Sequence, residues 1–468
     1  MGGRSMSAQE ELLERIRLRL DESFAGIGEV VAELPPADLA DLVNQLTLQE
    51  AAAVMSMLAV QRAIEVFDQP TLQRRSAIFE QMEPGRAGQI LEDVSADQRT
   101  EIIRGMGEHE RRRLLPKLSE AVRAEVERLL QYRPHTAGGI MTTEFVRLGP
   151  GMTVGESLKH IRQVARERES IYACYVLEPG TSRLLGALSL RDLVMAELEQ
   201  TVDKVMRRKP VTVNALDDQE LVAGKIGKYN LLAVPVLEKD GSVVGFVTVD
   251  DVIDVMVEEG TEDVLKMGAG EAGHMDEPYA ATPFWSLIRK RAGWLLVLFL
   301  SEMLTATAMG RFEEEIARAV VLALFVPLII SSGGNSGSQA ASLIIRALAV
   351  GELGIRDWWR VMQREMLAGL VLGGTLGVVC FLRITLWSLV SPNAYGPHWP
   401  LVAVTVWLSL IGVVLWGTFA GSMLPIALKR LGMDPAVSSA PFVATLVDVT
   451  GIVIYFEVAA YILRGTLL

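Results

Sequence analysis

The residues of this 468-residue chain best suited to chemistry are carboxylates, and they stand in two places. Asp250, Asp251, Asp254, Glu258, Glu259, Glu262 and Asp263 form an acidic run. On a helix, Asp251, Asp254, Glu258 and Glu262 share one face by three- and four-residue steps, where like charges repel. Two readings stand: a solvated face, or one on which divalent cations relieve the repulsion, since hard oxygen ligands suit Mg2+ or Ca2+. The other place is Asp448, in the stretch SSAPFVATLVDVTG at 438–451. A proline, small residues and hydroxyls precede it in a segment otherwise apolar, with no cation nearby in sequence. A charge at membrane depth costs about 3 kcal/mol or more unless paired or hydrated. A lone acid on a helix broken at Pro441 therefore reads as part of a hydrated cation path.

Glu302, Arg383 and Glu457 also lie inside apolar segments. Arg383 and Glu457 either pair or reach an interface, and Glu302 or Glu457 could serve proton coupling. Pro327 and the stretch SSGGNSGSQ at 331–339 put small and polar residues at membrane depth. That is tolerable where they pack within protein or line water. A third constellation occurs twice. LGALSLRD at 185–192 matches VGFVTVDD at 244–251, both reading Gly-x-x-Ser/Thr-x-x-Asp between a β-like run and a helix, and Ile140-Met141 matches Val205-Met206 upstream.

The elements that must position these groups are of two kinds. A mean hydropathy of +0.30 and a net charge of −12 do not fit one compartment. Residues 1–283 hold 32 Lys and Arg against 47 Asp and Glu, and residues 284–468 hold 13 against 10. This excludes a single globular fold, a disordered chain and a basic nucleic-acid binder, so no nucleic-acid partner is expected. Five apolar stretches, 292–310, 316–346, 362–390, 400–428 and 437–463, are long enough to cross a bilayer. Arg289-Lys290-Arg291, Arg356, Arg360, Arg364 and Lys429-Arg430 fall on alternate connections, while Glu313-Glu314-Glu315 and a loop without Lys or Arg fall on the others. The amino terminus is then inside and the carboxyl terminus outside an inner or plasma membrane. Cys174 and Cys380 fall in different halves, and the charged amino terminus has no signal-peptide core, which places the first half in a reducing cytosol.

Apolar residues recur every twelve positions at Leu34, Leu46, Leu58, Met82, Val94, Met106, Leu118 and Leu130, with Pro70 the one exception. A second register runs Leu42, Val54, Val66, Ile78, Ile90, Ile102, Leu114 and Val126. One short helix and a turn per unit, with N-caps at Thr47, Ser95 and Ser119, would stack into a solenoid.

The duplicated motif resembles a tandem cystathionine-β-synthase (CBS) pair. That likeness implies that Ser189, Asp192, Thr248 and Asp251 either hold an adenosine ribose, as of ATP, or hold nothing. The whole order of parts resembles the MgtE family of magnesium transporters and channels. Its most specific segments are PLIISSGGNSGSQ at 327–339, LGMDPA at 431–436 and Asp448-Val449-Thr450-Gly451. The resemblance implies a multidomain membrane protein. Its parts would be an N-terminal helical segment (1–33), an α-helical solenoid (34–136), a tandem CBS pair of α+β units (137–258, divided at about 200), a connecting helix (259–283) and a five-helix transmembrane domain (284–468).

It further implies a homodimer in the lipid bilayer, with Mg2+ passing Asp448, Ala440, Ala444, Thr445 and Asn335. Cytosolic Mg2+ would close the path by binding among Asp251, Glu259, Glu262, Asp263, Asp218, Asp97 and Glu101. Lys228 and Asn230 stand where relatives carry sensor acids, and Ala440 where some carry Asn or Gly. Three competing readings are a CBS-regulated secondary transporter of Co2+ or Mn2+, a non-transporting sensor and a membrane enzyme. A zinc protease would need His-Glu-x-x-His, and the membrane half has only His398.

Overall fold

One short helix and one tight connection make up each twelve-residue unit. The computed structural model describes residues 34–268, 282–391 and 394–467, except 70, 166, 167 and 169. The expected helical segment 1–33 and positions 269–281 of the expected connecting helix lie outside the described residues. The units give α1 (Pro36–Val43), α2 (Leu48–Met57), α3 (Val60–Phe67), α4 (Arg75–Gln81), α5 (Pro84–Asp93), α6 (Ala96–Gly105), α7 (Glu108–Leu114) and α8 (Glu120–Leu129).

Every residue of the register running from Leu42 to Val126 is buried in one core. In the other register, Leu58, Met82, Val94 and Met106 are the residues that end α2, α4, α5 and α6 in extended conformation. Each helix packs on the one two places along, from α1 on α3 to α6 on α8, as in a solenoid. Thr47 forms a capping box with Glu50, and Ser119 caps α8 through the Val122 N–H. Ser95 sits at an N-cap without such a bond. A third register holds the turns together: Arg62, Arg74 and Arg86 donate to the carbonyls of Leu34, Leu46 and Leu58, each 28 residues back.

The duplicated segment forms β1 (Val146–Leu148), α9 (Val154–Val164), β2 (Ala173–Leu177), β3 (Leu184–Ser189), α10 (Leu190–Met195), α11 (Val202–Val205), β4 (Val213–Asn214), α12 (Gln219–Tyr229), β5 (Ala233–Leu237) and β6 (Val243–Thr248). Two three-stranded sheets result, β1-β2-β3 and β4-β5-β6, each with a parallel then an antiparallel pair. Both slip register at the same place, Val176/Leu177 and Val236/Leu237. Phe145, Tyr175 and Phe246 form the core they share.

The motif glycines have a steric reason. A Cβ on Gly186 would lie 2.8 Å from the Arg207 carbonyl oxygen, and one on Gly245 2.5 Å from that of Thr142. In this way the segment leading into each unit crosses the sheet of the other. The acidic run lies on α13 (Val249–Met267), and the chain divides into two compact units between Glu259 and Gly260.

The second unit contains α14 (Phe284–Arg311), α15 (Glu313–Arg318), α16 (Val326–Ala349), α17 (Trp358–Val390), α18 (Trp399–Arg430) and α19 (Ala440–Leu463). Five segments, all but α15, are long and apolar enough to cross a membrane, α16 together with the 3-10 turn before it. The expected span 316–346 is divided: α15 and a 3-10 turn at Val320–Phe325 precede α16, and Pro327 lies in the first turn of α16. The polar stretch 331–339 is unbroken helix. Pro441 likewise does not break α19 but starts it, since a first-turn proline has no intrahelical donor to lose.

Helix α18 is the centre, packed on α16, α17 and α19. Glycines set its approach to α16. A Cβ on Gly417 would lie 2.3 Å from the Gly333 carbonyl oxygen, and one on Gly421 2.0 Å from that of Gly337. Gly333 and Gly337 therefore belong to helix packing rather than to a water-lined surface. Overpacking of this kind costs about 1–3 kcal/mol. Gly421→Val is expected to lower the apparent melting temperature in detergent by several degrees, whereas Gly374→Val, where the added atom meets nothing, leaves it unchanged.

Candidate cation sites

In the membrane unit, Asp448 stands two turns into α19 and faces α16. A Cβ built on Gly334 would lie 3.5 Å from the Ala444 Cβ and 3.6 Å from Asp448 Oδ1, so this position of α16 lies directly against the carboxylate. Among the described residues Asp448 forms no hydrogen bond and no ion pair, and the charged group close enough to act on it is another acid, Glu302. Ser338 Oγ donates to the Ala440 carbonyl at 3.0 Å, Thr445 Oγ1 to the Pro441 carbonyl at 2.9 Å and Asn335 Nδ2 to Ser331 Oγ at 3.4 Å. Asn335 is exposed on the side of α16 away from its packing glycines. The structure thus brings Asp448, Ala444 and Gly334 together. Ala440 joins them through Ser338, while Asn335 and Thr445 bond within their own helices. Arg383 reaches Tyr395 Oη at 3.4 Å and does not pair with Glu457.

In the first unit, acids gather where the solenoid meets the start of α13. Asp97 and Glu101 come from α6, Asp251 and Asp254 from α13, and Asp68 from the end of α3. Glu144 adds a further carboxylate from the segment before β1. Burial, then Asp97 beside it, pushes Asp251 up to about 8. Burial and Asp97 likewise push Asp68 up to about 7, and burial brings Asp254 to about 6 against the pull of Arg75. Asp97 and Glu144 are raised in the same way, by burial first. The cations present are few: Arg75 pairs with Glu101 at 3.3 Å, and buried Arg99 with Glu125 at 3.2 Å. Asp68 Oδ1 and Asp97 Oδ1 are buried without a hydrogen-bond partner. Orphaned carboxylate oxygens of this kind suit a hard divalent cation. No three His, Cys, Asp or Glu side chains among the described residues are arranged to hold a metal ion directly.

The other expected sensor residues are placed elsewhere. Glu259 accepts from buried Gln219 at 2.5 Å, Asp218 caps α12 through the Glu220 N–H, and Glu262 lies 2.6 Å from Lys266 Nζ. Asn230 ends α12 in the left-handed conformation at φ 50°, a C-cap role that Asn fills well. Ser189 with Asp192 forms a capping box, and Thr248 bonds Asp251 in the same way, so both duplicated motifs already serve helix starts.

Asp68 and Glu144 were not legible as site residues. The signal for Asp68 is its register. Glu80 and Glu92, twelve and twenty-four positions on, accept the Gly107 and Ser119 N–H groups 27 residues ahead. The shorter Asp at 68 leaves an oxygen orphaned instead.

The sign of the pH dependence follows from these shifts. Folded carboxyls hold protons that unfolded carboxylates release, so the contact is most stable below about pH 4 and weakens as pH rises through about 8. In metal-free buffer, amide protection over 96–104 and 249–256 is expected to fall between about pH 5.5 and 8.5, and the Asp97→Asn/Asp251→Asn variant to flatten that change. Protection independent of pH would contradict the burial of these groups.

Comparison with known proteins joins the two units. The family model MgtE, described as a divalent cation transporter, matches residues 326–458. The MgtE intracellular N domain matches 34–135, and CBS domains match 137–199 and 202–258. The magnesium transporter MgtE of Thermus thermophilus is 42% identical over 74% of this chain and 74% of its own length. That of Enterococcus faecalis is 34% identical over 73% of this chain and 72% of its own. The crystal structure of the cytosolic domain of the Mg2+ channel MgtE in complex with ATP is 35% identical, with a TM-score of 0.48, over 52% of this chain and 99% of that one. On the family-model matches and the 42% identity to the Thermus thermophilus transporter, the chain belongs to the MgtE family of divalent cation transporters.

Proposed function

We propose that the protein passes Mg2+ across the membrane down its electrochemical gradient, along a path beside Asp448, and that the acidic cluster of the first unit reads cytosolic Mg2+. The observation that carries the path is the carboxylate of Asp448, facing Gly334 of α16 and without a hydrogen-bonding or cationic partner among the described residues. Mg2+ sheds its inner waters reluctantly. A hydrated ion needs one or two charges at a distance and several hydrogen-bond acceptors rather than a tight cage. Asp448 supplies the charge, and Ala440, Ala444, Thr445 and Asn335 are the neighbours proposed to line the path.

The active form is proposed to be a homodimer in an inner or plasma membrane, with the first unit in the cytosol and the carboxyl terminus outside. Two features support this: the alternation of Lys and Arg along the connections, and helix α14, none of whose residues is buried within the protomer. Gating follows from the cluster. A divalent cation bound there would supply the charge that lets Asp68, Asp97, Asp251 and Asp254 stay ionised side by side. Uncompensated, these acids push α6 and α13 apart. Compensated, the two helices stay together, a binding-linked shift of population. ATP at the CBS pair, at Ser189, Asp192, Thr248 and Asp251, stands outside this gating mechanism.

Asp448→Ala is expected to abolish Mg2+ uptake into proteoliposomes while the oligomeric state on size exclusion is kept. Uptake like the parent's in that variant would remove Asp448 from the path. A pH-gradient requirement for uptake would favour a proton-coupled transporter instead. Asp97→Asn/Asp251→Asn/Asp254→Asn, which removes the repulsion without a cation, is expected to hold flux low even at cytosolic Mg2+ levels that leave the parent open, and an unchanged dependence of flux on cytosolic Mg2+ would remove the sensor.

A further inference from the structure

The last turn of α13 belongs to the second unit, and its cation does something that the acidic run alone does not suggest. Lys266 Nζ lies 2.6 Å from Glu262 Oε1, four residues back on the same helix, and 2.5 Å from Asp434 Oδ2, 168 residues on. The Lys266 side chain is only 16% exposed, and Met267 beside it packs against the core of the membrane unit. The pair is therefore partly desolvated, where a charge-assisted hydrogen bond is stronger than at an open surface.

Asp434 is fixed from its other side. Its Oδ1 accepts the Ala436 N–H at 2.8 Å and so shapes the 3-10 turn Pro435–Val437. Ser438 Oγ closes that turn onto the Pro435 carbonyl, and Ser439 caps α19 through the Phe442 N–H. Ser338 Oγ then ties the Ala440 carbonyl to α16 at 3.0 Å. An unbroken series of short contacts thus leads from the end of α13 to the first turn of the helix that carries Asp448.

We propose that Lys266 is an internal counter-cation that clamps the end of α13 to the loop starting α19, so that this joint is held without any metal. Glu262 then serves as a strut of the clamp, and a divalent cation reaching it must first displace an ammonium already in place. Without the ammonium, Glu262 and Asp434 face each other as like charges, and the joint opens unless a divalent cation takes the vacated position. Lys266 is a positioning residue. Its effect on flux rests on the ion path proposed above, whereas the clamp itself does not.

The test reads the joint directly, by amide hydrogen exchange over 434–440 in the full-length protein in detergent. In the parent, exchange is expected to be slow in EDTA and unaffected by millimolar Mg2+. In Lys266→Met it is expected to rise about fivefold or more in EDTA, the scale of a coupling of about 1 kcal/mol, and to slow again when Mg2+ is added. Lys266→Arg is expected to restore parent behaviour, and Asp434→Asn to loosen the same segment from the opposite side. Exchange over α16 serves as the folding control and is expected to stay constant. Unchanged exchange over 434–440 in both Lys266→Met and Asp434→Asn overturns the clamp. So does a parent whose exchange there responds to Mg2+ as strongly as the Met variant. Failure of the ion path instead would appear as full Mg2+ uptake by Asp448→Ala with these exchange results intact.

Discussion

Carboxylates cannot be buried side by side in ionised form without positive charge between them, and the two candidate sites follow from that constraint. Repulsion between two such charges about 4 Å apart is about 1 kcal/mol in bulk water and grows as water is withdrawn. At the contact between the solenoid and the start of α13, withdrawal has gone far enough to carry Asp251 to about 8 and Asp68 to about 7. The cluster must take up protons or bind cations, or its helices must part. In the membrane unit Asp448 faces the same requirement, with the acid Glu302 acting on it and no basic partner among the described residues. At the end of α13 the requirement is met from within, by Lys266.

What brings the acids together is backbone packing more than side-chain attraction. In the solenoid, a twelve-residue period buries two apolar registers and uses arginines to tie turns 28 residues apart. That stacking fixes where α3 ends and where α4 and α6 begin, and so where Asp68, Arg75 and Asp97 stand. In the membrane unit, Gly333, Gly337, Gly417 and Gly421 let α16 and α18 touch through their backbones. The same periodicity leaves Gly334, one position round the helix, facing Ala444 and Asp448. Packing and the proposed path are therefore two faces of one glycine-rich helix.

Much of this was legible in the sequence, for physical reasons. The apolar registers and the five long hydrophobic stretches are periodic signals, and both appear in the structure as cores and helices. The duplicated Gly-x-x-Ser/Thr-x-x-Asp gave the sheets, although its Ser, Thr and Asp proved to be caps and its glycine a crossing point for backbone. Pro441 misled, because it starts α19 and a proline at a first turn reads in sequence like one at a break. Asp68 and Glu144 were not legible, because nothing local shows that an acid will be buried against acids from distant segments. The role of Glu262 depended on Asp434, 172 positions away, which no spacing rule could supply.

Protons and divalent cations are proposed as alternatives at the same buried carboxylates. Calorimetric titration of the full-length protein with Mg2+, in two buffers of different ionisation heat, tests this most directly. At about pH 7 binding must release protons from groups held up by burial, and the release must shrink by about pH 9. It must also vanish in Asp97→Asn/Asp251→Asn. Mg2+ binding without proton release at about pH 7 would contradict the account.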